Sequence, residues 1–322
     1  MKYRKFGKQD WKVSEVGYGM WGMAGWSGSN DEQSFEALNK AIESGCNFFD
    51  TAWAYGAGKS EQILAEVVKR HKEQKLYLAT KIPPMLDEWP PKKSRHLEEV
   101  FSYEYIIDYA EKSLLNLGTE SIDLLQFHVW EDHWAESETW QKAIDKLKTE
   151  GKVQAFGISV NRWEPANCMD TLKTGLIDSI QVIYNVFDQA PEDELLPYCQ
   201  ANNIAVIARV PFDEGSLTGS LTKESTWPDG DFRNVYFGEE NLNPTLDRVE
   251  LLKKDVPEGM SLAEMALRFI ISNPAITTTI PGMRRVQNAE KNMEVAGNPL
   301  NEEQIKTLKK HRWDRVPTSW SC

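Results

Sequence analysis

The sequence predicts an α/β fold: an (α/β)8 TIM barrel with an N-terminal β-hairpin and a long loop before the seventh barrel helix. Two observations carry that prediction. Eight short apolar runs, each ending on a polar or small residue, alternate with eight longer segments of helical spacing, the rhythm of parallel strands joined by right-handed crossovers. A length of 322 residues with no visible boundary suits one barrel domain over 1–322, since closed barrels of this size fold as one unit.

In order, the strand-like runs are VSEVGYG, CNFFDT, KLYLATK, IDLLQFH, VQAFGIS, DSIQVIYN, IAVIAR and AITTTIP. The spacing predicts helices over about 31–44, 60–70, 103–117, 135–150, 163–174, 192–201, 261–272 and 285–295. Ser60 and Ser261 read as helix start signals. Before the first strand, YRKFGKQDWKVSEV alternates apolar and polar residues about a Gly-Lys-Gln-Asp turn, a hairpin placed to cap the barrel floor. The connection over about 211–260 is abnormally long, and long loops in compact domains are usually functional or disordered. It carries Phe212, Trp227, Phe232, Tyr236 and Phe237, too many aromatic rings for a disordered linker. It is expected to be a structured cover, with Phe232 and Tyr236 either lids over a ligand or simple packing.

Composition narrows the function classes. Cys46, Cys168, Cys199 and Cys322 are widely separated with no CxxC pair, which is neither a disulfide framework nor a zinc site and suits a reducing compartment. A net charge of -12 disfavours nucleic acid and anionic membrane as partners. No run is long enough for a transmembrane helix, and the first residues lack a signal-peptide core. The expectation is a cytoplasmic protein acting on a small molecule.

In a barrel of this kind the active site lies at the carboxyl ends of the strands. Those ends read Trp21, Asp50 with Tyr55, Lys81, His128, Ser159 with Asn161, Gln181, and Arg209. Taken singly, Asp50 and Lys81 also fit a structural ion pair, His128 a core histidine and Tyr55 a packing ring. Taken together, four titratable groups on three consecutive strands suit carbonyl reduction. A phenol is protonated at neutral pH and can give a proton to a developing alkoxide. An ammonium at Lys81, held charged by Asp50, is expected to lower that phenol's pKa. His128 can donate a hydrogen bond to the carbonyl oxygen. None of the four supplies a hydride, so a nicotinamide cofactor is implied. No metal is expected, because one Asp and one His do not complete a site and His128 and His133 are not on one helical face.

The runs FFDTAWAYGAGKSE, LATKIPP, IDLLQFHVW, FGISVNRW and IPGMRRVQNAEKN resemble, in order and spacing, the aldo-keto reductases, over about Tyr3 to Trp313. The resemblance implies an (α/β)8 barrel that binds NADP(H) extended, and a catalytic tetrad falling on Asp50, Tyr55, Lys81 and His128. It implies nicotinamide contacts at Ser159, Asn161 and Gln181, a bordering loop at Gly19, Met20 and Trp21, and a pyrophosphate loop from Pro211 and Phe212 through Ser216, Leu217 and Gly219. Arg209 stands where many relatives stack a tyrosine on the nicotinamide, so weaker holding of the oxidised cofactor is expected. Gly282, Arg284, Arg285 and Asn292 fall at the adenine end, and Asn288 fills a place there often held by glutamine or arginine. The two arginines, opening a helix, read as a clamp for the 2'-phosphate of NADPH. Lys291 departs from a frequent glutamate there.

Trp21, Trp53, Trp130 and Trp163, with Tyr55 and His128, are the expected substrate-facing residues, an aromatic mouth suited to an apolar or sugar-like carbonyl compound. A second reading is a nicotinamide-binding regulatory subunit like the potassium-channel beta proteins, which share the barrel and tetrad. The lack of an N-terminal segment beyond the hairpin tells against it.

Overall fold

The structure, a computed structural model, describes residues 1–24, 30–238 and 240–318. Strands β1 (Tyr3–Lys5) and β2 (Lys12–Ser14) form the antiparallel hairpin, with Tyr3 opposite Ser14. Eight parallel strands follow in sequential order: β3 (Tyr18–Gly19), β4 (Phe48–Asp50), β5 (Tyr77–Ile82), β6 (Ile122–Phe127), β7 (Val153–Ser159), β8 (Ser179–Ile183), β9 (Ala205–Arg209) and β10 (Thr278–Thr279). Single parallel bridges, Val16 to Thr279 and Gly19 to Gly282, close the ring. All eight expected helices are present, several shorter than their spacing suggested. The first apolar run divides between hairpin and barrel, because β2 ends at Ser14 and β3 begins at Tyr18.

The predicted start at Ser60 is displaced. The helix Lys59–Arg70 is entered through Gly58 at φ +89°, a left-handed conformation that glycine adopts without steric cost. The Ser60 hydroxyl instead pairs with that of Thr51 at 2.8 Å. At Ser261 the expectation holds: its side chain accepts from Glu264 N at 3.1 Å. The long connection contains the helices Arg233–Tyr236 and Leu242–Leu252. The second, LNPTLDRVELL, carries Pro244 in its first turn, where a helix tolerates it.

Period-two alternation explains how the site is delivered. Side chains at i and i+2 of a strand share a face. The inward columns run Phe48–Asp50, Tyr77–Ala79–Lys81, Leu124–Gln126–His128, Ala155–Gly157–Ser159, Ser179–Gln181 and Ala205–Ile207–Arg209. The lower members form the barrel-interior cluster with Phe6 and Val13 of the hairpin region. Phe6 packs on Trp11 and Phe48 at 5.2 and 5.7 Å, and Trp11 on Tyr77 at 5.2 Å, so the hairpin plugs the floor with aromatic rings. The upper members are the polar ring at the mouth. No helix among the described residues is long and apolar enough to cross a membrane.

Ring closure leaves no room at Gly19, where an added Cβ would fall 2.4 Å from Ile280 O. Gly19→Ala is therefore expected to spread β3 from β10 and cost about 1–3 kcal/mol or more, read as a lowered urea midpoint. An unchanged midpoint would mean the closure is softer than its spacing indicates.

Candidate active site

Asp50 is the last residue of β4, Lys81 lies one residue before the end of β5, and His128 follows β6 directly. Tyr55 comes from the turn after β4. The Lys81 ammonium has no solvent exposure. It donates to Asp50 Oδ1 at 2.5 Å and to the Thr51 carbonyl at 2.7 Å, and reaches the Tyr55 hydroxyl at 3.5 Å. The Tyr55 and His128 rings meet edge to face, centroids 5.7 Å apart. All four groups are thus gathered at one rim.

Burial sets their protonation. It pulls the Lys81 ammonium down, but the charge of Asp50 and the neighbouring Tyr55 outweigh it and hold Lys81 above its ordinary value. Burial pushes the Tyr55 phenol up, and Lys81 pulls it down by less. The net direction at Tyr55 is upward, which corrects the sequence expectation: the ammonium's pull is real, but desolvation of a phenolate is larger. Burial, then Lys81 and Arg209, drive His128 well below its usual value, so the imidazole is neutral. Its Nδ1 is buried with no hydrogen-bond partner among the described residues.

These groups open on a cleft of about 900 Å³. Of the residues expected at a cofactor, Gly19, Met20, Trp21, Asp50, Ser159, Asn161, Gln181, Arg209, Pro211, Phe212, Gly282, Arg284, Arg285 and Asn288 line it. Ser216, Leu217, Gly219 and Asn292 do not. The Ser216 hydroxyl turns to Asp213 at 2.7 Å, Leu217 is buried in the core, Gly219 lies towards Leu262, and Asn292 is buried on the helix Val286–Glu294. From that loop Glu214, Gly215 and Thr218 face the cleft instead. Asn161 has both amide hydrogens committed, to Trp130 O at 2.8 Å and Glu131 Oε1 at 2.9 Å. Only its oxygen, which accepts from Trp130 N at 3.3 Å, keeps capacity for a ligand.

Arg209 donates from Nη2 to Val160 O at 2.9 Å, while its buried Nε has no partner among the described residues. Burial, and then the nearby Arg162, pull it down to about 10. It does not turn to Asp213. That carboxylate accepts from Tyr236 at 2.6 Å and from Arg315 at 2.9 Å, and Arg315 also pairs with Asp188. Tyr236 is therefore a buried strut, whereas Phe232 lines the cleft. At the far end Arg233 joins Arg284 and Arg285. Burial, then those two neighbouring cations, pull Arg284 below its ordinary value.

Among the expected substrate residues, Trp21, Tyr55 and His128 line the cleft, and Trp53, Trp130 and Trp163 do not. Trp53 packs edge-on against Tyr109 at 4.8 Å. Trp130 is buried among Phe127, Trp134 and Trp140, its indole bonded to Thr171 at 2.9 Å. Trp163 lies under the Arg315 guanidinium at 4.7 Å. Nearness in sequence to a strand exit does not fix which way a large ring turns, and these three turned to partners away from the cleft. Trp89 was missed: it stands edge-on to His128 at 4.7 Å, delivered by the loop after β5. Gln126 was also missed, although its parity with His128 marks it as inward-facing.

With that geometry described, comparison with known proteins is direct. The sequence model of the Aldo/keto reductase family matches residues 15–312. The chain is 31% identical over 316 residues to Aldo-keto reductase YhdN of Bacillus subtilis, covering 96% of this chain and 92% of that protein. It is 27% identical to the NADH-specific methylglyoxal reductase of Escherichia coli, covering 94% and 95%. Among solved structures, the holo form of an aldo-keto reductase from Bacillus halodurans superposes with a TM-score of 0.78 at 26% identity, covering 100% and 99% of the two chains. The protein belongs to the aldo/keto reductase family and is an oxidoreductase.

The Asp188–Arg315–Asp213 cluster ties the cleft loop to the chain's last described segment. Arg315→Met leaves two buried carboxylates without their cation and is expected to cost about 3–5 kcal/mol, measured by urea unfolding at pH 7. The loss should shrink as the pH falls, because burial already raises Asp188 and a protonated carboxyl no longer needs the cation. A loss that does not depend on pH would assign the effect to packing.

Proposed function

We propose that the protein reduces an aldehyde or ketone to the alcohol, reversibly, with NADPH, and that Tyr55 gives the proton. The observation that carries this reading is the buried Asp50–Lys81–Tyr55 chain opening beside a neutral His128 on a cleft of about 900 Å³. The residues fit the cofactor. Ser159, Asn161 and Gln181 cluster at the tetrad end, and Arg233, Arg284 and Arg285 put cationic charge at the other. NADPH, when bound, supplies the hydride.

Tyr55 stays protonated at neutral pH because burial raises it, so the proton is available when negative charge grows on the substrate oxygen. The phenolate left behind faces the Lys81 ammonium at 3.5 Å, and Asp50 keeps that ammonium charged. His128, being neutral, donates one ring N–H towards the same oxygen. Trp21 and Trp89 wall the mouth with aromatic surface that excludes water from an apolar carbonyl compound. The widely spaced cysteines favour the cytoplasm as the place of reaction.

The relative from Escherichia coli is named for NADH, so the arginine end is where cofactor choice is argued. A 2'-phosphate carries charge that three guanidinium groups at that end attract, and NADH lacks it.

NADPH oxidation over a panel of aldehydes and ketones tests the reading, and Tyr55→Phe tests the acid. That variant should lose about 10²–10⁴ of the turnover rate while binding NADPH as the wild type does; turnover near the wild-type rate would reject Tyr55 as donor. Arg284→Ala should weaken NADPH by about tenfold or more, the loss of one charge-assisted contact, with little change for NADH. Equal weakening of both nucleotides would reject the phosphate clamp.

A further inference from the structure

Asp50 has two carboxylate oxygens, and Lys81 takes only Oδ1. Oδ2 accepts from Gln181 Nε2 at 2.7 Å and from Gln126 Nε2 at 3.1 Å. Gln126 is fully buried on β6, in register with Lys81 on one side and with Gly157 on the other. Its Oε1 lies 3.5 Å from Gln181 Nε2. Space for it comes from Gly157, where an added Cβ would fall 3.1 Å from Gln126 Cγ and 2.3 Å from Ser179 Oγ. A leucine at 126 would continue the apolar column that Leu124 begins, with no buried polar group to satisfy. The glutamine instead gives the carboxylate a further neutral donor.

We propose that Gln126 is a positioning residue of the reaction: its amide fixes the Asp50 carboxylate under Lys81 and holds Gln181 with its nitrogen turned to Asp50, leaving the Gln181 oxygen to accept from a ligand in the cleft. The inference rests on the reductase reading above. Its chemistry follows from hydrogen bonding to a charged form. Without that donor the Asp50 carboxylate loses one of the two hydrogen bonds at Oδ2. The Lys81 ammonium that faces Tyr55 is then held less firmly, and turnover falls. Gln181, with one neighbour fewer, is also freer to rotate its amide.

The test uses Gln126→Met, close in volume and without a donor. The kcat and KM with NADPH and an accepted carbonyl compound are measured separately and compared with wild type, alongside the NADPH Kd from fluorescence without carbonyl compound and the thermal midpoint. The expected result is a kcat lowered about tenfold, the worth of one hydrogen bond to a charged group, with KM for the carbonyl compound little changed and a severalfold weaker Kd. A kcat and Kd that coincide with wild type overturn the inference, whatever the thermal midpoint does. If Gln126→Met does not fold, Gln126→Asn, which keeps the amide but is one methylene too short to reach Asp50, is read by the same criteria. A wild type inactive on every carbonyl compound overturns the functional reading and this inference together, whereas an active wild type with an unmoved variant overturns this inference alone.

Discussion

A lysine ammonium buried beyond reach of water is the constraint to which the site answers. Taking such a charge out of water costs several kcal/mol even after relaxation, and among the described residues the only carboxylate bonded to Lys81 is Asp50, at 2.5 Å. That pair can form only if β4 and β5 are neighbours with their inward columns ending at the same height. The Thr51 carbonyl and the Tyr55 hydroxyl take up the remaining directions of the ammonium. Once the cation is held there, His128 beside it cannot also be charged, and the phenol has a partner waiting for its conjugate base. Burial sets the protonation of these neighbours, and the ion pair adjusts it.

The other side of the cleft is held by the same physics with different residues. Val210, Asp213 and Glu214 all adopt positive φ, between 46° and 54°, a conformation uncommon for residues with a Cβ and rarest for a β-branched one. Such backbone persists only where its surroundings over-determine it. Asp213 is bonded to Ser216, Tyr236 and Arg315, and Glu214 to Arg162 at 2.7 Å. The strained turn is thus pinned by ion pairs from Arg162 and Arg315 and by a hydrogen bond from Tyr236. Arg162 also lies over Phe232 and Tyr236, at 5.4 and 5.0 Å, which joins the cover to the exit of β7.

Across the cleft the charge is arranged unevenly. Near Lys81 the pair with Asp50 is internally neutral, Tyr55 is a phenol and His128 an uncharged imidazole, with the Arg209 guanidinium beside them. Arg284 lies across Gly22, where an added Cβ would fall 3.3 Å from its Cδ, with Arg233 and Arg285 alongside. Trp21 and Trp89 add aromatic walls.

The sequence by itself determined the barrel, its hairpin floor and the four groups of the tetrad. These follow from local signals: apolar runs of strand length, helical spacing between them, and polar residues that fall where a strand must exit. It also showed that the segment over 211–260 is structured, because its aromatic content demands burial. What tertiary structure alone decided is direction and partnership. Trp130 and Trp163 sit as near a strand exit as Trp21 does, yet they are turned to Thr171 and Arg315. Tyr236 became a strut because Asp213 and Arg315, remote in sequence, meet beneath it. The direction of the Tyr55 shift also lay beyond the sequence, since it weighs burial against a neighbouring charge. Spacing along a chain reports which face a residue occupies; burial, charge balance and ring orientation depend on neighbours that only folding brings together.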